Sequence, residues 1–276
     1  MMIPNGFLIR IGKLVSFLAL DVLFSLSANL SFFSHHLNEK IQSTLFLFYL
    51  SSVWALYLAD HFWDANREKE PFSERGSFYL RFRLFIVSLF VLLAFLSLSI
   101  GFSFEFNFLW NQLPLVISFG FFLVLILLKK SPIPKEILVS LYYTWGVFAP
   151  FSLFVGRDPI VWIFFLHVLA NVLLTYDGDR EFDKEHHTYT LTQYWKPKTV
   201  RIVARCLLGL GIFLLLGLGF LQTHEVSVLL GMAFSYLWLG ICSFQKKGGI
   251  RFKSLCELSY LPMFLPQIFF FFSLLP

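Results

Sequence analysis

The sequence predicts an all-α polytopic membrane protein, a single bundle of nine transmembrane helices with the N-terminus on the cytoplasmic side. Three observations carry this. Of 276 residues 57% are hydrophobic and only 14% charged, with a mean hydropathy of +0.72, far outside the range of a soluble domain. Apolar runs close to the roughly 20 residues that a spanning helix needs recur nine times, at 14–33, 42–60, 84–103, 108–128, 136–155, 159–176, 202–221, 226–244 and 256–275. Finally, Lys and Arg fall almost entirely in alternate connectors.

The first run, 14–33, follows Arg10 and Lys13 and offers a small-x-small step at Ser25-Leu26-Ser27, so it competes with a signal peptide. Asp21 in its middle and its continuation to Phe33 favour an uncleaved helix. The second run leads into a connector with Arg67, Lys69, Arg75, Arg81 and Arg83. The third and fourth are followed by Lys129, Lys130 and Lys135. After the fifth and sixth come Arg180, Lys184, Lys196, Lys198, Arg201 and Arg205, and after the seventh and eighth Lys246, Lys247, Arg251 and Lys253. With the N-terminus inside, 20 of the 22 Lys and Arg are cytoplasmic, leaving Lys40 and Arg157 outside. The formal charge of +5 therefore reports orientation and implies no nucleic-acid partner. No stretch is long and polar enough for a separate soluble domain, so residues 1–276 read as one domain. Cys206, Cys242 and Cys256 stand singly without CxxC spacing, and the 37 Phe read as lipid-facing and core filling.

The acids are unevenly placed. Ten of seventeen lie in two short stretches: Asp60, Asp64, Glu68, Glu70 and Glu74, then Asp177, Asp179, Glu181, Asp183 and Glu185. Both follow helices that run from outside to inside. Asp60, Asp64 and Glu68 are four apart, as are Asp179 and Asp183, so each set lines one helical face with neighbours about 5–6 Å apart. Like charges so placed repel unless a cation sits between them, and Mg²⁺ is commonly held by one or two carboxylates together with substrate phosphates. The competing reading is a solvated charged face with Arg67, Lys69, Arg180 and Lys184 as ion-pair partners. Two such stretches, on one side and about half a chain apart, favour two related halves that each carry one motif.

At these residues the chain resembles the UbiA-type intramembrane prenyltransferase superfamily, whose nine helices carry one aspartate-rich motif after helix two and another after helix six. The usual N-D-x-x-D-x-x-x-D is met here by Asp60-His61-Phe62-Trp63-Asp64-Ala65-Asn66-Arg67-Glu68, with Asp60 for asparagine, His61 for the first aspartate and Glu68 for the last. The usual D-x-x-D-x-x-x-D is met by Tyr176-Asp177-Gly178-Asp179-Arg180-Glu181-Phe182-Asp183, with its leading acid displaced by one place.

The resemblance implies Mg²⁺-dependent transfer of an isoprenyl group from a polyprenyl diphosphate to an aromatic or other lipophilic acceptor within the bilayer, at the cytoplasmic face. Asp60, Asp64, Glu68, Asp177, Asp179 and Asp183 would then serve as metal-holding catalytic residues. Arg67, Lys69, Arg75, Arg180, Lys184 and Arg201 are candidate diphosphate ligands, chosen for side and proximity. Tyr142 and Tyr143, with Trp145, are candidates to shield an allylic cation below the carboxylates, against the plainer reading of an interfacial aromatic belt. Asn171, six residues before Asp177, is a further candidate contact. The alternatives are a catalytically inactive relative that binds a lipid or partner, and a transporter, against which the one-sided placement of the acids counts.

Other features are read more plainly. Asn29 falls near the outer end of the first helix, where interfacial water would satisfy it, and Asp21 is left without a role. Of seven histidines, His35, His36 and His224 fall outside, which defeats a histidine-rich di-iron reading. His186 and His187 directly follow the second acidic stretch. The DGDREFD segment is faintly similar to the motif of CDP-alcohol phosphotransferases but lacks that family's core, and no lysine lies deep enough in a helix for a retinal Schiff base.

Overall fold

The computed structural model describes residues 12–68, 72–128, 130–151, 158–178, 180, 190–221, 224–245 and 250–273, and all regular structure among them is helical. Among the described residues, six helices are long and apolar enough to cross a bilayer: Ser43–Arg67, Pro159–Asp177, Pro197–Phe220, Val226–Ser243, Arg83–Ser103 and the composite Arg251–Phe271. That is consistent with an integral membrane protein. The other three predicted runs are helical but divided or shorter. The chain packs as two compact units, residues 1–27 with 41–110, and residues 28–40 with 111–276.

The first unit is built on α2 (Ser43–Arg67), α3 (Glu74–Arg81) and α4 (Arg83–Ser103), followed by the short α5 (Phe106–Asn111). Helices α2 and α4 pack side by side. Small Ala55 and Ala65 let the backbones approach, and Leu58, Ile86, Leu93 and Tyr79 fill the seam. The outward face of α4 is a row of exposed Leu, Phe and Val, including Leu84, Phe95 and Phe102. A row of this kind suits lipid and would aggregate in water. Ser73 caps α3 by accepting the Gly76 N–H at 3.0 Å.

The predicted 14–33 helix is not continuous. Residues 12–17 are helical, the chain turns at Leu18 and Ala19, and α1 (Leu20–His36) begins anew. Ala19 has a φ of +54°, a left-handed conformation rare for a residue with a Cβ. The carbonyls next to the break are recaptured by side chains: Tyr79 Oη donates to Phe17 O at 2.7 Å, and Trp54 Nε1 donates to Leu18 O at 2.8 Å. Asp21 gains its role here. It stands buried in the first turn of α1, where helix N–H groups lack intrahelical acceptors, and its Oδ1 accepts from Val22 N at 3.1 Å.

In the second unit, α8 (Pro159–Asp177) is the central element. It is preceded by α6 (Leu113–Leu127) and α7 (Lys135–Phe148) and followed by α9 (Leu191–Tyr194), α10 (Pro197–Phe220), α11 (Val226–Ser243), α12 (Ile250–Glu257), a 3₁₀ segment Leu258–Phe264 and α13 (Leu265–Ser273). Helices α7, α10, α11 and α12 pack around α8. Asp158 caps α8 by accepting from Ile160 N at 2.9 Å. Two buried polar side chains of α8 find backbone partners, as burial away from water favours. His167 Nε2 donates to Ser235 O at 3.3 Å, and Asn171 Nδ2 donates to Cys256 O at 2.7 Å. That last carbonyl lies where α-helical bonding gives way to the 3₁₀ segment containing Pro262, a residue without an N–H. Asn29 is fully buried and its Nδ2 donates to Tyr143 Oη at 2.8 Å, so its amide N–H meets protein and not interfacial water.

Candidate functional site

The first acidic stretch begins in the closing turns of α2. Asp60 is exposed and Asp64, one turn on, is partly so. The helix stops at Arg67. Glu68 turns to extended backbone (φ −65°, ψ 139°), although its N–H still donates to Asp64 O at 3.0 Å. Its Oε2 accepts from Ser73 Oγ at 3.1 Å and rests where a Cβ on residue 76 would collide, at 1.9 Å, so the approach requires Gly76. Arg75 Nη2 lies 3.9 Å from Asp64 Oδ2, a loose, half-exposed pair worth at most about 1 kcal/mol. The Arg67 guanidinium stands 5.9 Å from the centre of the Trp63 ring. Lys69 lies outside the described residues.

Behind the carboxylates, His61 Nδ1 is 3.3 Å from Tyr79 Oη. Burial pushes the Tyr79 phenol well above its ordinary value; the charge of Asp60 adds to this and Arg75 opposes it. The phenol therefore keeps its proton.

The second stretch begins at the C-terminal end of α8. Asp177 is almost fully enclosed by arginines from two directions: Arg180 Nη2 and Nε both donate to its Oδ1, at 2.7 and 3.3 Å, and Arg201 Nε stands 3.6 Å from Oδ2. The same arginines bind backbone, Arg180 Nη1 to Trp195 O at 2.6 Å and Arg201 Nη1 to Gln245 O at 2.7 Å. Asp177 thus gathers the end of α8, the start of α10 and the chain leaving α11. Asp179, Asp183 and Lys184, with His186 and His187, lie outside the described residues.

The aromatic candidates on α7 face different ways. Tyr143 is enclosed by Phe164 and Tyr260, Tyr142 packs on Phe119 and Phe122, and Trp145 is exposed. Asn171 is committed to Cys256 O.

Sequence reasoning passed over Glu136. This fully buried carboxylate in the first turn of α7 accepts from Leu191 N and Thr192 N, each at 3.0 Å, and so anchors the chain just beyond the second acidic stretch. The available signal was its isolation, as one of few acids on the inner connectors outside the two stretches.

Chemically, Asp60, Asp64 and Glu68 are hard oxygen donors about one turn apart in sequence, but the three do not converge within metal-ligand reach of one another among the described residues. Asp177 fits a metal only if an incoming anion draws Arg180 and Arg201 away. No family model matches the chain, and no curated protein or solved structure matches it.

Proposed function

We propose that the chain is a divergent UbiA-type intramembrane prenyltransferase of nine membrane helices, its N-terminus and its acidic stretches cytoplasmic. It would transfer an isoprenyl group from a polyprenyl diphosphate to a lipophilic acceptor. The observation that carries this reading is the pairing of carboxylate with guanidinium in each acidic stretch, Asp64 with Arg75 and Asp177 with Arg180 and Arg201, next to the end of an apolar helix. A Mg²⁺–diphosphate ligand suits such pairs. The cation takes the carboxylates, the diphosphate takes the arginines in bidentate contacts, and no charge is left unpaired.

In this reading Asp60, Asp64, Glu68, Asp177, Asp179 and Asp183 are the residues that hold Mg²⁺. Bound there, Mg²⁺ would neutralise charge developing on the diphosphate leaving group. Arg67, Lys69, Arg75, Arg180, Lys184 and Arg201 bind its oxygens, and Tyr142 is the candidate left for the prenyl chain, since Tyr143 is enclosed and bonded to Asn29 and Asn171 is committed to Cys256 O.

Purified protein should bind a labelled polyprenyl diphosphate in the presence of Mg²⁺, and Asp64→Ala or Asp183→Ala should each abolish that binding. Binding that survives unchanged in both variants rejects the assignment.

A second reading, a catalytically idle relative that binds a lipid or a partner protein, draws on two observations. Asp177 is already satisfied by two arginines, and the position of the usual first aspartate is held by His61, which is engaged with Tyr79. In that case Mg²⁺ with inorganic diphosphate leaves the melting temperature unmoved, whereas a ligand that binds only the folded enzyme raises it.

A further inference from the structure

At the end of α8 away from Asp177, three side chains from three separate elements converge. His36 closes α1, Asp158 precedes α8 and His224 lies just before α11. His36 Nε2 is 2.6 Å from Asp158 Oδ2, and the His36 and His224 rings are 5.2 Å apart. One donor atom from each of the three lies within 4.8 Å of the other two. The site is sheltered without being sealed: the side chains of His36 and Asp158 are 8% and 19% exposed. Nineteen helical residues at about 1.5 Å each put it roughly 28 Å along α8 from Asp177, close to the thickness of a bilayer core.

Two of the three groups are held in place. Asp158 Oδ1 accepts from Ile160 N at 2.9 Å, which leaves Oδ2 aimed at His36. The His36 ring stacks on Phe32 at 6.3 Å and meets Phe33 edge-on at 6.5 Å. A structural hydrogen bond needs only His36 and Asp158. It gives no reason for a second imidazole, from a different connector, to stand against the same pair.

Two imidazole nitrogens and one carboxylate oxygen are a donor set for Zn²⁺ with a fourth position open, at metal–ligand distances of about 2.0–2.2 Å. Donors around a tetrahedral ion of that size lie roughly 3.4 Å apart. The pair at 2.6 Å must open by less than about 1 Å and the widest separation must close by a little more, both within the reach of side-chain rotation. Mg²⁺, which demands oxygen, is poorly served by two nitrogens.

We propose that His36, Asp158 and His224 form a transition-metal site, with Zn²⁺ as the ion its donors match, tying together three helix ends of the second unit. The site is independent of the prenyltransferase reading: it uses none of the same residues and a different ion.

The full chain, purified in detergent through a tag free of histidine and stripped with a chelator, is titrated with Co²⁺ and then Zn²⁺. The expected result is one Co²⁺ per chain with the intense visible absorption of a four-coordinate ion, displaced by Zn²⁺, and a melting temperature raised by Zn²⁺ but not by Mg²⁺. His224→Ala should weaken Zn²⁺ binding by more than the roughly 10–100-fold typical of losing an outer-shell contact. His35→Ala, which removes the neighbouring histidine bonded to Glu225, should leave binding intact. Asp158→Asn keeps a capping side chain at α8 while removing the anionic ligand, so it tests the site even where His224→Ala fails to fold. A wild-type protein that takes up neither ion stoichiometrically, or whose affinity is unchanged in both His224→Ala and Asp158→Asn, overturns the proposal.

Discussion

Tyr79 shows how one hydroxyl fixes its surroundings. It has a single proton, and that proton goes to Phe17 O at 2.7 Å, so the contact with His61 at 3.3 Å must be made in the other sense, His61 Nδ1–H donating to the phenolic oxygen. A neutral His61 therefore carries its proton on Nδ1. Tyr79→Phe removes the donor to Phe17 O and the acceptor for His61 while keeping the ring, and should cost about 1–3 kcal/mol, the penalty for buried polar groups left without partners. Thermal melting in detergent checks it. Glu136 gives a sharper test because one side chain serves two backbone donors. Glu136→Gln keeps an acceptor for only one of Leu191 N and Thr192 N and turns an amide N–H₂ towards the other, with an expected loss of about 2 kcal/mol or more.

Among the helices, what the chain announces and what it conceals divide along physical lines. The long uniform spans were legible because a run of some 20 apolar residues has few alternatives to a membrane helix. Their interruptions were not. Nothing in Phe17-Leu18-Ala19-Leu20 breaks a helix by intrinsic preference; the break is sustained by Trp54 and Tyr79, which come from other helices and recapture the released carbonyls. The one local trace was Asp21, an acid with no place inside a continuous apolar helix and a natural place at the start of a new one. The acidic stretches were legible by count and spacing, whereas the closure of Asp177 by Arg180 and Arg201 depends on how loops return, which no periodicity encodes.

Packing between α10 and α11 yields a prediction of the same order. A Cβ at Gly211 would fall 2.2–2.3 Å from the ring of Tyr236, which is fully buried and donates its hydroxyl proton to Ile163 O. Gly211→Ala should therefore destabilise by about 1–3 kcal/mol, as overpacking does. Gly209→Ala, with nothing within 4 Å on the same helix, should be neutral or slightly stabilising. Equal melting temperatures for the two variants would contradict the close approach of α10 to α11.

For the chain as a whole, the decisive quantity is which connectors share a side of the membrane. Among the described residues six helices meet the length and hydropathy of a span, while the nine-span, N-inside arrangement rests on the segregation of 20 of 22 Lys and Arg. The two descriptions agree at the connectors around Lys40 and Lys198 and separate at the connector around Lys130. With nine spans, residue 40 follows the first crossing and is outside, while residue 198 follows the sixth and is inside. Of the six long helices, only Ser43–Arg67, Arg83–Ser103 and Pro159–Asp177 intervene between these positions, so those three crossings alone also put them on opposite sides. The finer arrangement is tested by adding residue 130, which it places inside with residue 198, whereas the same three long helices counted alone separate 130 from 198. Single cysteines at Lys40, Lys130 and Lys198, in a chain whose Cys206, Cys242 and Cys256 are replaced by alanine, can be probed in intact cells with a membrane-impermeant maleimide. The nine-span arrangement expects labelling at residue 40 and, until the membrane is opened, protection at both 130 and 198. Labelling of 130 in intact cells with 198 protected would remove the shorter helices α6 and α7 from the set of crossings, and would place the chain after α6 on the far side from the acidic stretch that α8 leads into.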